Sequence, residues 1–189
     1  MSRRAKFSAA VALALAVTPI YALVPAHAEI TVMVGGAPMY PSKNIVENAV
    51  NSKDHTTLVA AVKAAGLVDT LQQPGPFTVF APVNQAFEKL PPGTVETLLK
   101  PENRSALVSV LTYHVVAGRF SAADLKADVE AGGGRTILKT VEGGLLTVRQ
   151  VGRRLEIVDA HGDKAFITIP DVNQSNGVIH VVDTVLLPK

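Results

Sequence analysis

The chain has no cysteine. That one absence excludes disulfide bridges, thiolate metal sites, a cysteine nucleophile and a lipid anchor on cysteine. Stability must then come from burial of apolar side chains, and an apolar content of 48% over 189 residues is compatible with that. Beyond the N-terminal region no apolar run is long enough to span a bilayer. No Lys/Arg cluster is available to track a phosphate backbone; Arg153-Arg154 is a single pair in a predicted turn, so nucleic acid is not an expected partner. The triplet Gly132-Gly133-Gly134 has no strand before it and no Gly-Lys-Ser/Thr after it, which excludes a phosphate loop. No serine stands in a nucleophile elbow. No two histidines are four apart on a helix, as a zinc hydrolase would require. No internal repeat is visible. The sequence therefore offers no catalytic group, metal site or cofactor to assign.

What is present begins with an export signal. Arg3, Arg4 and Lys6 form a basic start, Phe7 to Val24 carries no charge, and Ala26-His27-Ala28 supplies the small-x-small pattern of a signal peptidase site. Pro19 and Thr18 disfavour the alternative, an uncleaved membrane anchor. The predicted division is a signal peptide over 1–28, a flexible leader over 29–42 marked by Gly35-Gly36, Pro38 and Pro41, and one domain over 43–189. Cleavage after Ala28 leaves 161 of the 189 residues, enough for a sizeable core. It removes three of the 18 basic residues and none of the 16 acidic ones, turning a net charge of +2 into −1. The implied location is secreted or periplasmic, with no transmembrane segment in the mature chain.

The first half of the domain is helical in pattern. Asp54 is placed to cap a helix carrying Leu58, Val59, Val62 and Ala65 on one face, with Gly66 as its stop. Gln73-Pro74-Gly75-Pro76 reads as a turn before a short buried strand, Phe77 to Phe80. Pro82 breaks that strand and Asn84 is placed to cap a short helix bearing Phe87 and Leu90. Thr94 starts another short helix, and Pro101 opens one with Leu107, Val108, Val110 and Leu111. Ser121 with Asp124 makes a capping box ahead of Leu125. The second half alternates in strands separated by Glu142-Gly143-Gly144, Gly152-Arg153 and His161-Gly162-Asp163. Val178 to Leu187 is apolar on both parities, which predicts a central strand buried on both faces. Helices first and antiparallel strands later give an α+β domain.

His114 and His180 both sit among β-branched apolar neighbours. Buried neutral imidazoles held by hydrogen bonds are the expected reading; a catalytic or metal pair would require the fold to bring the two together. Asp183 lies three residues beyond His180, on the opposite face of a regular strand.

Three stretches taken together resemble the fasciclin family. Thr78-Val79-Phe80-Ala81-Pro82-Val83-Asn84-Gln85-Ala86-Phe87 resembles its first box, with Val83 where the family usually has Thr. Tyr113-His114-Val115-Val116 is similar to the central Tyr-His element. Ser175-Asn176-Gly177-Val178-Ile179-His180-Val181-Val182-Asp183, continuing to Leu186-Leu187-Pro188, looks like the second box. In order and spacing the match covers about residues 44 to 188. It implies a wedge-like β-sandwich with flanking helices, and a non-enzymatic role in adhesion or contact with an extracellular, envelope, matrix or host-surface macromolecule, protein or polysaccharide. Some relatives carry carotenoid-type pigments, which implies the alternative of an extracytoplasmic carrier holding an apolar small molecule in a cleft of the fold.

Read physically, the boxes are framework: a strand, a proline break and an Asn cap (Thr78, Phe80, Pro82, Asn84, Phe87), a core tyrosine with its hydroxyl paired beside a buried imidazole (Tyr113, His114), and an Asn-Gly turn into the central strand (Asn176, Gly177, His180, Asp183). Some animal members bind integrin through a Pro-Asp-Ile core just before the second box. Pro170-Asp171-Val172 stands in that place, with Ile169 where an acidic residue precedes it and Asn173 after it. The resemblance makes these three the candidate partner contacts; an Asp-Val turn leading out of a strand is the structural alternative.

The export reading is checked by intact-mass analysis of extracytoplasmic protein. The expected mature chain starts at Glu29; a retained N-terminal anchor would overturn it.

Overall fold

The computed structural model describes residues 30–189; the signal peptide expected over 1–28 and its cleavage site lie outside the described residues. In chain order the elements are β1 (Val32–Val34), β2 (Ala37–Met39), α1 (Ile45–Ala49), α2 (Thr56–Ala65), α3 (Val68–Leu71), β3 (Phe77–Pro82), α4 (Asn84–Glu88), α5 (Thr94–Leu98), α6 (Arg104–Tyr113), β4 (Val115–Ala117), α7 (Ala122–Ala131), β5 (Arg135–Lys139), β6 (Leu145–Val151), β7 (Arg154–Val158), β8 (Lys164–Gln174) and β9 (Gly177–Val182). Short 3₁₀ turns at Lys53–His55 and Pro101–Asn103 lead into α2 and α6.

The fold is α+β. Seven strands form one sheet in the order β4-β3-β9-β8-β7-β6-β5. A single bridge, Val116 to Thr140, joins its two ends, so the sheet curls most of the way to a barrel. The two faces expected of a sandwich are thus halves of one sheet, and β8 is the strand they share. Lys164 to Phe166 pair with β7, Ile167 to Gln174 pair with β9, and the register slips twice between Ile167 and Val172. Such bulges let one strand turn a corner.

The expected central strand is β9, buried at all six positions. It lies between β3 and β8. Its neighbour β3 runs parallel to it, however, so the strands are not all antiparallel. That pairing joins an early strand to the last one, and the long stretch between them, α4 to α7 with β4 to β8, supplies the distance that a parallel pair needs. Alternate residues of β9 serve two cores. Val182 packs with Phe80, Tyr113, Leu125, Leu146 and Ile157 inside the curl. Ile179 and Val181 pack with Leu58, Ala61, Leu107, Leu111, Val34 and Met39 under the helices.

The leader expected to be flexible over 29–42 instead carries a β-hairpin. Val32 pairs with Met39 and Val34 with Ala37. Gly35 and Gly36 both adopt positive φ, the conformation that a tight two-residue hairpin turn demands. Val34 and Met39 are buried in the helical core. The glycines and prolines that look like punctuation are a turn and an edge strand. Two expected caps also move. Asp54 lies in the 3₁₀ turn and does not cap α2. Asn84, the first residue of α4, reaches across to α2: its Oδ1 accepts from Thr57 N at 3.0 Å, and its Nδ2 donates to the Lys53 carbonyl at 2.9 Å. The helix it caps is a neighbour, not its own. Ser121 and Asp124 do form the capping box of α7.

Gly177 starts β9 directly against β3. A Cβ there would stand 2.2 Å from the Phe77 carbonyl oxygen, a backbone atom with no freedom to yield. Gly177→Ala should therefore cost at least about 2 kcal/mol, read as a lower urea midpoint with an unchanged m-value.

Candidate functional site

The residues singled out from sequence gather around the β3–β9 pair. Phe80 faces His180 across the ladder, and their rings stack with centroids 5.8 Å apart. His180 is fully buried, and both its nitrogens are engaged with backbone. Asp171 N–H donates to Nδ1 at 3.2 Å, so Nε2 carries the proton and donates it to the Phe120 carbonyl at 2.8 Å. His114 is satisfied the opposite way round. Its Nδ1–H donates to the Val110 carbonyl at 2.8 Å, and Nε2 accepts from Leu186 N–H at 3.0 Å. Each lone pair is spent on a different segment of backbone, so neither ring has one left for a metal or a proton transfer. Burial pushes the His114 pKa down to about 4 and lowers that of His180.

The other framework residues tie segments together. Tyr113 is buried, its hydroxyl donating to the Leu145 carbonyl at 2.8 Å and accepting from Ala160 N at 3.0 Å. Thr78 Oγ1 donates to the Gly118 carbonyl and accepts from Phe120 N–H, fixing the approach to α7. Asn176 accepts from Ile45 N–H and donates to the Leu71 and Gln73 carbonyls. Asp183 accepts from Phe166 N–H, joining the end of β9 to β8. Pro82 ends β3 in the core, and Phe87 packs half-buried between α4 and the helical layer.

The candidate contact triplet lies in neither an exposed loop nor a turn leaving a strand. Pro170, Asp171 and Val172 form the bulge within β8. Val172 is 1% exposed and belongs to the helical core, so its side chain is not available to a partner. Asp171 takes a positive φ of 57°, which Asp tolerates better than most residues. Its carboxylate accepts from Ala122 N–H at 2.7 Å, at the N-terminus of α7, where a negative charge is favoured. Pro170 is exposed and, with no N–H to pair, suits a bulge. Of the three, one side chain is buried, one is committed to a helix cap and one is free.

A different feature was not visible in the sequence. Under the β1–β2 hairpin lies an apolar cavity of about 120 Å³. Its walls include Val34, Met39, Ile45, Leu58, Val79 and Ile179, and His55 is among them. His55 is 4% exposed. Its Nδ1 lies 2.8 Å from Ser52 Oγ. Burial lowers its pKa; a backbone hydrogen bond to Ala81 and the Asp54 charge pull the other way without reversing the shift. A histidine three residues after a serine, at the start of an amphipathic helix, gives no sequence signal of this. Among the described residues no group of three or more His, Cys, Asp or Glu side chains could hold a metal ion. No helix among them is long and apolar enough to cross a membrane.

The buried rings make stability pH-dependent. Their folded pKa values lie below the ordinary 6.5, so the stability they contribute is complete above that pH and falls as the pH drops toward 4. For His114 alone the loss between pH 6.5 and 4 amounts to about 3 kcal/mol. His114→Gln should flatten the stability profile between pH 6.5 and 5 relative to wild type, measured by urea unfolding at each pH. Parallel profiles would show that the wild-type ring does not enter the fold neutral.

A family model for the fasciclin domain matches residues 53–188. Protein sll1483 of Synechocystis is 47% identical over 76% of this chain and 73% of its own length. Immunogenic protein MPB70 of Mycobacterium bovis is 37% identical over 74% of this chain and 66% of its own length. Human periostin is 31% identical over 77% of this chain, which spans only 16% of periostin. Among solved structures, a FAS1 domain pair from the insect cell adhesion molecule fasciclin I superposes with a TM-score of 0.70. It covers 84% of this chain and 58% of its own, at 21% identity, a likeness of fold alone. The match spans the first box, the Tyr-His element and the second box, whose residues form the β3–β9 framework described above: this chain belongs to the fasciclin domain family.

Proposed function

We propose that this chain is an exported, non-enzymatic interaction module that makes adhesive contact with an envelope, matrix or host-surface macromolecule, protein or polysaccharide. The residues of the family boxes point inward and hold the framework, which leaves recognition to the remaining surface. The observation that carries the reading is the outer face of the β5–β6 hairpin. On β5, Arg135, Ile137 and Lys139 alternate outward, and Leu145 faces Lys139 from β6. Ile137 is 57% exposed and Leu145 54%, on strands whose inward residues Leu138 and Leu146 are buried. Large apolar side chains held in water between cations form a contact face for a partner with apolar and acidic groups. A single domain offers modest area, so firm attachment would come from several copies presented together.

A second reading, a carrier of an apolar small molecule, is favoured by the cavity beneath the hairpin. At about 120 Å³ the space as it stands would admit the body of a compact apolar molecule.

Binding of the purified chain to envelope and matrix fractions tests the first reading. Replacing both Ile137 and Leu145 by Glu should weaken capture at least tenfold, about 1.4 kcal/mol, with an unchanged melting temperature. Asp171→Ala should keep binding while losing about 1 kcal/mol of stability through the lost helix cap. Capture that survives the double variant removes the face; failure to bind any fraction removes the adhesion reading.

A further inference from the structure

We infer that the basic groove between α7 and the β7–β8 pair, continued by the arginines beside it on the outer face of the sheet, binds an acidic polysaccharide whose sugars carry carboxylates. This rests on the adhesion reading and deepens it, naming the chemistry of the partner and the cations that receive it.

In the sequence Arg153-Arg154 is an isolated pair; folding gives it company. A groove of about 410 Å³ opens where Lys126 of α7 meets Arg153 and Arg154, at the turn from β6 into β7, and no carboxylate lines it. The volume lies within the roughly 300–1,000 Å³ of ligand-binding clefts. Arg154 lies over the Phe166 ring, 4.0 Å from its centroid, which holds the guanidinium on the outer face of the sheet at the mouth of the groove. Next along that face of β7 is Glu156, which stands opposite Arg149, and Arg149 in turn stands opposite Arg135. Five cations thus follow one another from the groove across three strands.

Within the fold these charges are poorly compensated. Among the described residues the only salt bridge joins Arg149 to Glu156. Lys126, Arg135, Arg153 and Arg154 have no carboxylate partner there. Arg135 and Arg149 are directly opposite each other, an arrangement in which like charges repel. In a chain whose net charge is only +2, this is a segregation of charge. A cleft lined by one sign of charge between apolar walls focuses its field on an incoming counter-charge. A polyanion laid along the five cations relieves their repulsion and satisfies them together.

The residue types point to carboxylates on sugars. Four of the five cations are arginine, whose planar fork takes a carboxylate through two parallel N–H···O bonds. Between them Leu155, Ile167 and Pro170 offer apolar surface for the C–H face of a sugar ring. Thr168 Oγ donates to the Val181 carbonyl at 3.2 Å and keeps lone pairs that can accept from a sugar hydroxyl. Shape disfavours other polyanions. The sheet curls most of the way to a barrel, so its outer face is convex: a flexible chain can follow it into the groove, and a flat lipid surface cannot. Single-stranded nucleic acid takes hold by stacking bases on aromatic rings, and Phe166, the ring on this track, is covered by Arg154.

The test titrates the purified chain with oligogalacturonate and with the same oligomer methyl-esterified, which keeps the sugars and removes the charge. Affinities come from calorimetry at low and raised salt, with the arginine guanidinium resonances followed by NMR. The expected result is saturable binding of the acid form, weaker at raised salt, that shifts those resonances. The methyl ester should bind about tenfold more weakly or worse, as should the double variant Arg153→Gln with Arg154→Gln, at an unchanged melting temperature. Equal affinities for the two oligomers, or full affinity in the double variant, overturn the inference. Tighter binding to phosphatidylglycerol vesicles, or to a single-stranded oligonucleotide of equal charge, overturns the choice of partner. If oligogalacturonate does not bind while envelope and matrix fractions still capture the chain, the polysaccharide falls and the adhesion reading stands; if neither binds, both fall. Should the double variant not fold, the two oligomers on the wild type and its guanidinium resonances decide alone.

Discussion

An imidazole fully buried in a strand that is itself buried on both faces must find two backbone partners, and much of the architecture meets that requirement. His180 has no water to turn to, so its Nδ1 needs an N–H and its Nε2–H needs a carbonyl. Within a regular ladder the neighbouring strand would spend its N–H groups on the strand pairing. The bulge in β8 frees one, that of Asp171, and the positive φ there aims it at the ring. The same bulge brings the Asp171 carboxylate to the first turn of α7, while the loop entering α7 presents the Phe120 carbonyl to the other side of the ring. One polar side chain thus links the central strand, the corner of the sheet and the position of a helix.

This coupling explains why the family's most recognisable residues say little about partners. Thr78, Tyr113, His114, Asn176 and His180 each direct a polar atom to a backbone group of another segment. A substitution at any of them leaves a donor or acceptor stranded in the interior, which costs more than the hydrogen bond itself contributed. Residues committed in this way are not free to recognise anything. On the proposed reading, recognition falls to what the framework leaves over: the outward face of the β5–β6 hairpin, and on the carrier alternative the cavity between helices and hairpin.

The N-terminal segment shows how that cavity arises. Asn48 is fully buried, accepting from Tyr40 N–H, donating to the Tyr40 carbonyl and bonding to Gln174. Asn176 receives Ile45 N–H from the start of α1. These buried amides fasten the segment to the β8–β9 turn and place Val34 and Met39 over the space beside α2. Side-chain amides fix geometry more strictly than apolar packing does, because each bond has a direction. A cover held by such directional contacts has little scope to settle further onto the aliphatic walls beneath it, and the space stays open with His55 at its edge.

Local signals in the sequence were sufficient wherever the physics is local. The helix stop at Gly66, the capping box of Ser121 and Asp124, and the both-parity apolar run of β9 each follow from neighbouring residues, and the three boxes together identify the family. Tertiary structure alone decided the rest. Asn84 caps a helix far from it in sequence, Asp171 caps α7 from within a strand, and Gly35-Gly36 is a hairpin turn because Val34 and Met39 have a core to enter. The burial of His55 belongs here too, since a ring is buried only with respect to everything folded around it. Caps within a helix and alternation within a strand depend on residues a few positions apart. Which donor meets which acceptor across the core depends on the path of the whole chain, and no short stretch of sequence contains that path.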